Sequence, residues 1–149
     1  MRRRSKKTEQ IYIERRKIVA QLLKERPFCE ACLIYRTFDS RGITLRPSVD
    51  VNEIIPRGRG GSITDLTNLM CVCRLPCHSR ITDDPLEAEF LGLTLPGWAN
   101  ETHIDEARMR RVCFSEEVRI TEPPSWWDST KTQAWLSRFR SSDADRTSE

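Results

Sequence analysis

The amino-acid sequence predicts a small α+β domain that a bound metal ion helps to hold together. Three observations predict this class: an amphipathic segment near the amino terminus, two short apolar strand segments separated by a glycine-rich loop, and two close pairs of cysteines. With 149 residues, the chain is long enough for one domain with a modest core and an extension at each end.

The amphipathic segment runs from Glu9 to Glu25 and predicts an α-helix that ends before Pro27. Residues 1–26 carry ten basic side chains and three acidic ones, although the whole chain has a net charge of only +3. A basic arm on a nearly balanced body favours a polyanionic partner, most simply nucleic acid. The alternative is a solvated tail that only aids solubility.

The central part of the chain predicts two strands and a long loop between them. SVDVNEII is the first strand and NLMCVC the second, while PRGRGGSITDLT is too rich in glycine for regular structure. Residues 36–48 are expected to form a loop or an irregular hairpin arm.

After the second strand, a helix is expected to begin near His78. Pro85 divides it, with Asp83 or Asp84 capping the second half, and Gly92 ends it. The segment THIDEARMRRV predicts a further short helix.

No apolar run approaches the roughly 20 residues that cross a bilayer, and no apolar segment follows the basic start MRRRSKKTEQ. We therefore expect a soluble, cytoplasmic protein without a membrane partner.

The cysteines fall into two close pairs, Cys29/Cys32 and Cys73/Cys77. In a reducing compartment, such pairs favour metal ligation over disulfides, and four thiolates predict a closed, structural Zn²⁺ site. The alternative is a set of small buried apolar side chains, as expected for Cys113. Cys71 competes for the second pair, either as a replacement ligand or as a residue packed behind the metal.

Several short motifs follow one another in the central half of the chain: Cys29, Cys32, DVNEIIPRGRGGS, DLTNL, Cys73 and CHSRI. In combination they resemble the HNH nucleases, over about Phe28 to Gly97. The resemblance implies a ββα-metal fold, in which a two-stranded hairpin packs on a helix around one divalent cation. The continuation ITDDPLEAEFLGLTLPGW is also similar to the segment after the last histidine in small HNH proteins of phages and prophages.

The resemblance also implies a role for individual residues. Asn52 takes the position of the first metal ligand, and Glu53 that of the general base, with Pro56 in register. Asn68 corresponds to the residue that holds the loop and orients the base. His78 corresponds to the last histidine, a ligand of the catalytic Mg²⁺ or Mn²⁺.

Two departures from the family pattern concern the site directly. Cys73 and Cys77 are one residue further apart than usual, and Glu53 replaces the usual histidine base. Free glutamate has a pKa of about 4.3 and is a weak base near neutral pH. Glu53 is therefore a base, a metal ligand beside a cation-activated water, or a relic. Because adjacent strand residues face opposite sides, Asn52 and Glu53 cannot both reach one cation unless the strand ends or bulges there.

Four arginines are candidates for DNA contact: Arg57, Arg59, Arg74 and Arg80. Arg57 and Arg59 lie among glycines, which lets guanidinium and backbone N–H groups approach phosphate closely. No helix carries an evident base-reading set, so we expect salt-sensitive binding with weak sequence specificity.

These features predict four regions: a basic arm and helix (1–26), an HNH-like zinc domain (27–97), a helical, tryptophan-rich extension (98–139) and a disordered tail (140–149). The tryptophans Trp126, Trp127 and Trp135 are expected to wrap the extension onto the core, the alternative being stacking on bases or a partner.

The expected function is hydrolysis of phosphodiester bonds in double-stranded DNA by a metal-dependent endonuclease. The phage-like resemblance implies a role in DNA packaging or mobility inside a bacterial host, with phage packaging proteins as further partners. The alternative is a catalytically silent, zinc-stabilised DNA-binding or packaging accessory protein. The oligomeric state stays open.

Overall fold

An α+β architecture is observed in the computed structural model, which describes residues 5–40 and 44–147, the last eight of these by backbone alone. A two-stranded antiparallel sheet lies among several helices, as the sequence predicts. In chain order the elements are α1 (Lys6–Glu25), α2 (Cys32–Asp39), β1 (Asp50–Glu53), β2 (Leu69–Val72), α3 (Ser79–Asp83), α4 (Pro85–Phe90), α5 (Glu101–Ser115) and α6 (Ser129–Thr147).

The predicted amino-terminal helix is confirmed as α1. It begins after Ser5, whose hydroxyl accepts a hydrogen bond from the backbone N–H of Thr8 at 3.2 Å, and it ends before Pro27. Its buried Leu22 packs on one face of the sheet in a small cluster of apolar residues. Residues 1–4 of the basic arm lie outside the described residues.

The two strands form a hairpin whose side chains alternate between two faces. In register, Val51 pairs with Cys71 and Asn52 with Met70. Val51 and Cys71 face α1, whereas Met70 belongs to the main core. Asn52 therefore shares its face with Asp50, two residues earlier.

The segment from Cys32 to Asp39 is a helix, α2, whereas the sequence predicted a turn followed by a loop from residue 36. That prediction was wrong up to Asp39, because the helix is stabilised by burying Ile34 and Tyr35 in the main core. The helix ends at Ser40, which has a left-handed φ of 57°. Residues 41–43 of the predicted loop lie outside the described residues.

The divided helix is confirmed as α3 and α4. Asp84 separates them and caps α4, because its carboxylate accepts a hydrogen bond from the backbone N–H of Glu87 at 3.2 Å. The chain turns at Gly92 with a φ of 78°. A Cβ there would lie 2.3 Å from the carbonyl oxygen of Ala107, so only glycine fits.

The carboxy-terminal extension wraps onto the core through its tryptophans, as expected. Trp126, Trp127 and Trp135 are buried, and the Trp135 ring stacks on Phe90 with centroids 4.6 Å apart. Helix α6 continues to Thr147, through most of the segment for which the sequence predicted disorder. Residues 148 and 149 lie outside the described part.

Within the residues described, no helix is both long and apolar enough to cross a bilayer.

Candidate metal centre and basic cavity

Four buried cysteines meet where α2 begins and where β2 leads into α3. The sulfur atoms of Cys29, Cys32, Cys73 and Cys77 all lie within 4.8 Å of one another. Cys32 Sγ is 3.9 Å from Cys73 Sγ and 3.7 Å from Cys77 Sγ. A tetrahedral site with Zn–S bonds of about 2.3 Å requires sulfur–sulfur distances of about 3.8 Å. The cluster therefore has the ligand type, number and spacing that could hold a structural Zn²⁺ ion.

Burial and hydrogen bonds between the thiols shift the pKa values of this cluster in opposite directions. A hydrogen bond from Cys77 lowers the pKa of the Cys29 thiol to about 5, while burial raises the pKa of Cys32 to about 12. The pKa of Cys77 is raised well above its ordinary value by its hydrogen bond to Cys29 and by burial. Because zinc binds thiolates, binding of a dication would release the protons that these thiols carry.

Cys71 lies outside the cluster and packs on the face of the sheet that α1 covers. Strand β2 ends at Val72, so Cys73 leaves the strand and need not face the same side as Cys71. Cys71 contacts the Leu22 cluster, and burial raises its pKa to about 11. The alternative in which Cys71 replaces a ligand is therefore wrong.

Three predicted site residues line one open cavity of about 470 Å³: Asn52, Glu53 and His78. The cavity lies between β1, the beginning of α3 and one side of α1. Arg57 and Arg59 line it from the loop after β1. The structure thus brings together residues that the sequence places up to 26 positions apart.

His78 is oriented by Asp50, a residue that the sequence did not single out. The Nδ1 atom of His78 lies 2.9 Å from Oδ2 of Asp50, and Arg74 Nη2 donates to Oδ1 of the same carboxylate at 2.9 Å. Hydrogen bonds from Arg74 and His78 hold the pKa of Asp50 below its usual value. With Nδ1 engaged, Nε2 is the nitrogen of His78 that can bind a cation.

Asn52 is buried, with a relative exposure of 7%. Its Nδ2 donates to the carbonyl oxygen of Leu93 at 3.1 Å, which fixes the plane of the amide. The donor atom is thereby occupied by protein, and Oδ1 is the atom that can act as a ligand.

Glu53 is held by two arginines. Its Oε1 lies 2.6 Å from Arg57 Nη2 and 3.3 Å from Arg15 Nη2, and its Oε2 accepts the backbone N–H of Arg57 at 3.1 Å. Burial raises the pKa of Glu53, but the hydrogen bonds and charge of Arg57, with the charge of Arg15, outweigh burial and lower it overall. Arg15 was not predicted, since nothing in the local pattern of α1 distinguishes it from Arg16.

Asn68 closes the base of the glycine-rich loop. Its Oδ1 accepts the backbone N–H of Ile55 at 2.8 Å, and its Nδ2 donates to the carbonyl oxygens of Ile55 and Ser62 at 3.0 and 2.8 Å. Gly61 approaches the same turn so closely that a Cβ would lie 1.6 Å from the carbonyl oxygen of Ile55. Hydrogen bonds from Asn68 therefore hold both ends of the loop after β1 in place.

The four predicted DNA-binding arginines have different surroundings. Arg57 and Arg59 line the cavity, and Arg74 is 73% exposed beside Asp50. Arg80 instead lies between Asp39 and Glu87, with nitrogen–oxygen distances of 2.7 Å to each, and above the Tyr35 ring. Because two carboxylates neutralise Arg80, we do not place it on the interface.

Comparison with known proteins finds no matching family model, no matching curated protein and no matching solved structure. The function of this chain is therefore inferred from the residues and distances of the cysteine cluster and the cavity.

Proposed function

We propose that this protein is a metal-dependent endonuclease of the HNH type that hydrolyses phosphodiester bonds in double-stranded DNA. The observation that supports this most is the cavity in which Asn52, Glu53 and His78 meet below an arginine-bearing loop. In this proposal, β1, β2 and α3 are the three elements of a ββα-metal motif. The tetracysteine cluster holds them in place through Zn²⁺.

The donor set of the cavity fits a hard divalent cation with few protein ligands. Oδ1 of Asn52 and Nε2 of His78 would hold Mg²⁺ or Mn²⁺, which keep several waters and bind phosphate oxygens. When bound, the cation stabilises negative charge on the scissile phosphate and lowers the pKa of a bound water.

The protein's own groups would position the substrate around that cation. Asp50 fixes the His78 ring through Nδ1, and Asn68 fixes the loop that carries Arg57 and Arg59. The two loop arginines would bind backbone phosphates, which gives affinity without sequence specificity.

A second candidate is a zinc-stabilised DNA-binding or packaging accessory protein without catalytic activity. It is favoured by the state of Glu53, whose carboxylate is bound by Arg15 and Arg57 and has a lowered pKa. Such a group is a poor general base at neutral pH. In both candidates we place the protein in the cytoplasm of a bacterial host, in phage DNA packaging or mobility.

A plasmid-nicking assay separates the two candidates. The zinc-loaded protein is incubated with supercoiled plasmid and added Mg²⁺, Mn²⁺ or neither, beside His78→Ala and the matched control His103→Ala. His103 lies in the first turn of α5 and does not line the cavity. We expect cation-dependent nicking that His78→Ala reduces by more than about 100-fold, beyond the 10- to 100-fold typical of losing a group that only supports a ligand, and that His103→Ala retains.

The outcomes are distinct. If the wild type shifts DNA on a gel but never nicks it, the accessory protein is the correct candidate. If it neither nicks nor binds DNA, both candidates are wrong.

Asn52→Asp tests the cation ligand itself. The new carboxylate would bind Mn²⁺ more strongly, but without cation it would face the carbonyl oxygen of Leu93 and lose the 3.1 Å hydrogen bond. We expect a lower Tm than wild type without cation and a larger rise in Tm on adding Mn²⁺. An equal Mn²⁺ response in both proteins would contradict the assignment of Asn52 as a ligand.

A further inference from the structure

Two arginines from distant parts of the chain converge on one carboxylate at the rim of the cavity. Arg15 comes from the middle of α1 and Arg57 from the loop after β1, and both bind the same oxygen, Oε1 of Glu53. The other oxygen, Oε2, accepts the backbone N–H of Arg57. Glu53 therefore lies in a pocket of two guanidinium groups and one main-chain N–H.

This donor set is the kind that binds phosphate in proteins. Guanidinium groups and backbone N–H groups are among the donors that contact nucleic-acid phosphates, and arginine binds both carboxylate and phosphate in bidentate pairs. Three arginines and one carboxylate line the cavity, so positive charge remains in excess with Glu53 ionised. This excess positive charge lies on the part of the cavity that Arg15, Arg57 and Arg59 line.

Each of the two arginines has a second anchor that does not depend on Glu53. Arg15 Nη1 donates to the carbonyl oxygen of Ile63 at 2.7 Å. Arg57 Nη1 donates to the hydroxyl of Tyr12 at 3.1 Å, and its guanidinium lies 5.6 Å from the centre of that ring. Both guanidinium groups can therefore stay in place while their anionic partner is exchanged.

We infer that Arg15 and Arg57 form a binding site for one backbone phosphate of nucleic acid, and that Glu53 occupies this site in the free protein. The inference rests on the proposed binding of DNA in this cavity, and it adds Arg15 to the interface. Binding of a phosphate displaces the Glu53 carboxylate, which then becomes free in the cavity that Asn52 and His78 also line. Substrate binding thus releases a carboxylate into the cavity.

The test is duplex binding by fluorescence anisotropy, with zinc-loaded full-length protein and no added Mg²⁺ or Mn²⁺, over a series of NaCl concentrations. The variants are Arg15→Gln, Arg57→Gln and Glu53→Gln, with Arg16→Gln as the matched control. Arg16 follows Arg15 on α1 but is exposed, so its substitution removes the same charge from outside the cavity. Zinc content and Tm are measured for each variant, and Arg57→Lys is added because it keeps the charge without the bidentate fork.

We expect Arg15→Gln and Arg57→Gln to weaken binding roughly 5- to 50-fold and to reduce the salt slope by about 1 each. Arg57→Lys should lie between wild type and Arg57→Gln, and Arg16→Gln should change binding less than about twofold. Glu53→Gln should tighten binding roughly threefold or more, because the internal competitor loses its charge.

Several results would overturn the inference. If wild type binds DNA but Arg15→Gln and Arg57→Gln match Arg16→Gln, the phosphate site is wrong and DNA binding stands. If Glu53→Gln binds no tighter than wild type, Glu53 does not occupy the site. If low-millimolar inorganic phosphate displaces the duplex at constant ionic strength, the site takes a small phosphate ligand and not a backbone. If wild type fails to bind any duplex, the proposed function fails together with the inference.

Discussion

Oδ2 of Asp50 lies 2.9 Å from Nδ1 of His78. This contact joins the first residue of β1 to the residue that precedes α3. The same carboxylate accepts from Arg74, so a surface arginine, a carboxylate and an imidazole form a short chain that leads into the cavity. Such contacts fix the tautomer and the ring plane of a metal-ligating histidine.

Asp50→Asn should therefore impair the cavity without unfolding the protein. The amide can still hydrogen-bond to His78, but it no longer favours the tautomer protonated on Nδ1. We expect Mn²⁺-dependent nicking to fall about 10- to 100-fold, with a higher Mn²⁺ requirement. Asp105→Asn is the control, since it makes the same change at an exposed carboxylate of α5 that does not line the cavity. Equal activity of Asp50→Asn and wild type would contradict the positioning role of Asp50.

The tetracysteine cluster predicts one zinc per chain. Cys32→Ser and Cys77→Ser should lose the metal and most of the folded state, since structural Zn²⁺ contributes about 10–16 kcal/mol of apparent binding free energy. Cys71→Ala and Cys113→Ser should keep equimolar zinc, because neither sulfur belongs to the cluster. Elemental analysis and far-UV circular dichroism measure the two effects. Stoichiometric zinc in Cys32→Ser would show that the cluster is not the binding site.

The stack of Trp135 on Phe90 predicts a large contribution of α6 to stability. Trp135→Ala should lower the free energy of unfolding by about 3–5 kcal/mol, as for other large-to-small core substitutions. Trp98→Ala is the matched control, since Trp98 is 63% exposed and should cost less than about 1 kcal/mol. Urea unfolding measures both; similar losses would mean that α6 does not pack on the core in solution.

Acid should weaken the contact between α4 and α6 through Asp84. Burial raises the pKa of this carboxyl, but the hydrogen bonds from Arg138 and from the backbone of Glu87 lower it overall. Because the pKa is lower in the folded protein, its stabilising effect is present above the unfolded pKa of about 3.9 and is lost as pH falls through the folded value. Asp84→Asn keeps the cap but removes the charge.

We therefore expect wild type to be more stable than Asp84→Asn near pH 6 by less than about 1 kcal/mol, since the ion pair is partly exposed. The difference should shrink as the pH falls below the unfolded pKa of about 3.9 and disappear below the folded pKa. Urea unfolding at several pH values measures it. If the difference in free energy of unfolding between the two proteins grew toward low pH, the assigned role of the ion pair would be wrong.

The sequence predicted those helix boundaries that proline and glycine determine by themselves. Pro27 and Gly92 ended helices, and Pro85 divided one, because their backbone constraints operate whatever surrounds them. Helix α2 was missed because it has only eight residues and depends on a core assembled from distant segments. Ile34, Tyr35 and the partly buried Phe38 recur at helical spacing, but the stretch is too short for this period alone to distinguish a helix from a loop.

The candidate site was predicted where a motif specified it and missed where partners are remote. The four cysteines form one cluster, and Asn52, Glu53 and His78 line one cavity, as the motif predicted. Asp50 and Arg15 could not be assigned because their contacts join separate segments of the chain. Arg80 was expected on the DNA surface for the same reason, since nothing near it in sequence indicates Asp39.

Cys77 and His78 are consecutive residues, so one peptide bond separates a residue of the cysteine cluster from a residue of the cavity. A chelator that extracts zinc would move the histidine together with its neighbour. Loss of activity in EDTA would therefore report on folding as much as on the cavity ion. The informative design keeps zinc saturated and varies Mg²⁺ or Mn²⁺ alone, so that the effect of the proposed cavity cation is measured separately from the effect of zinc on folding.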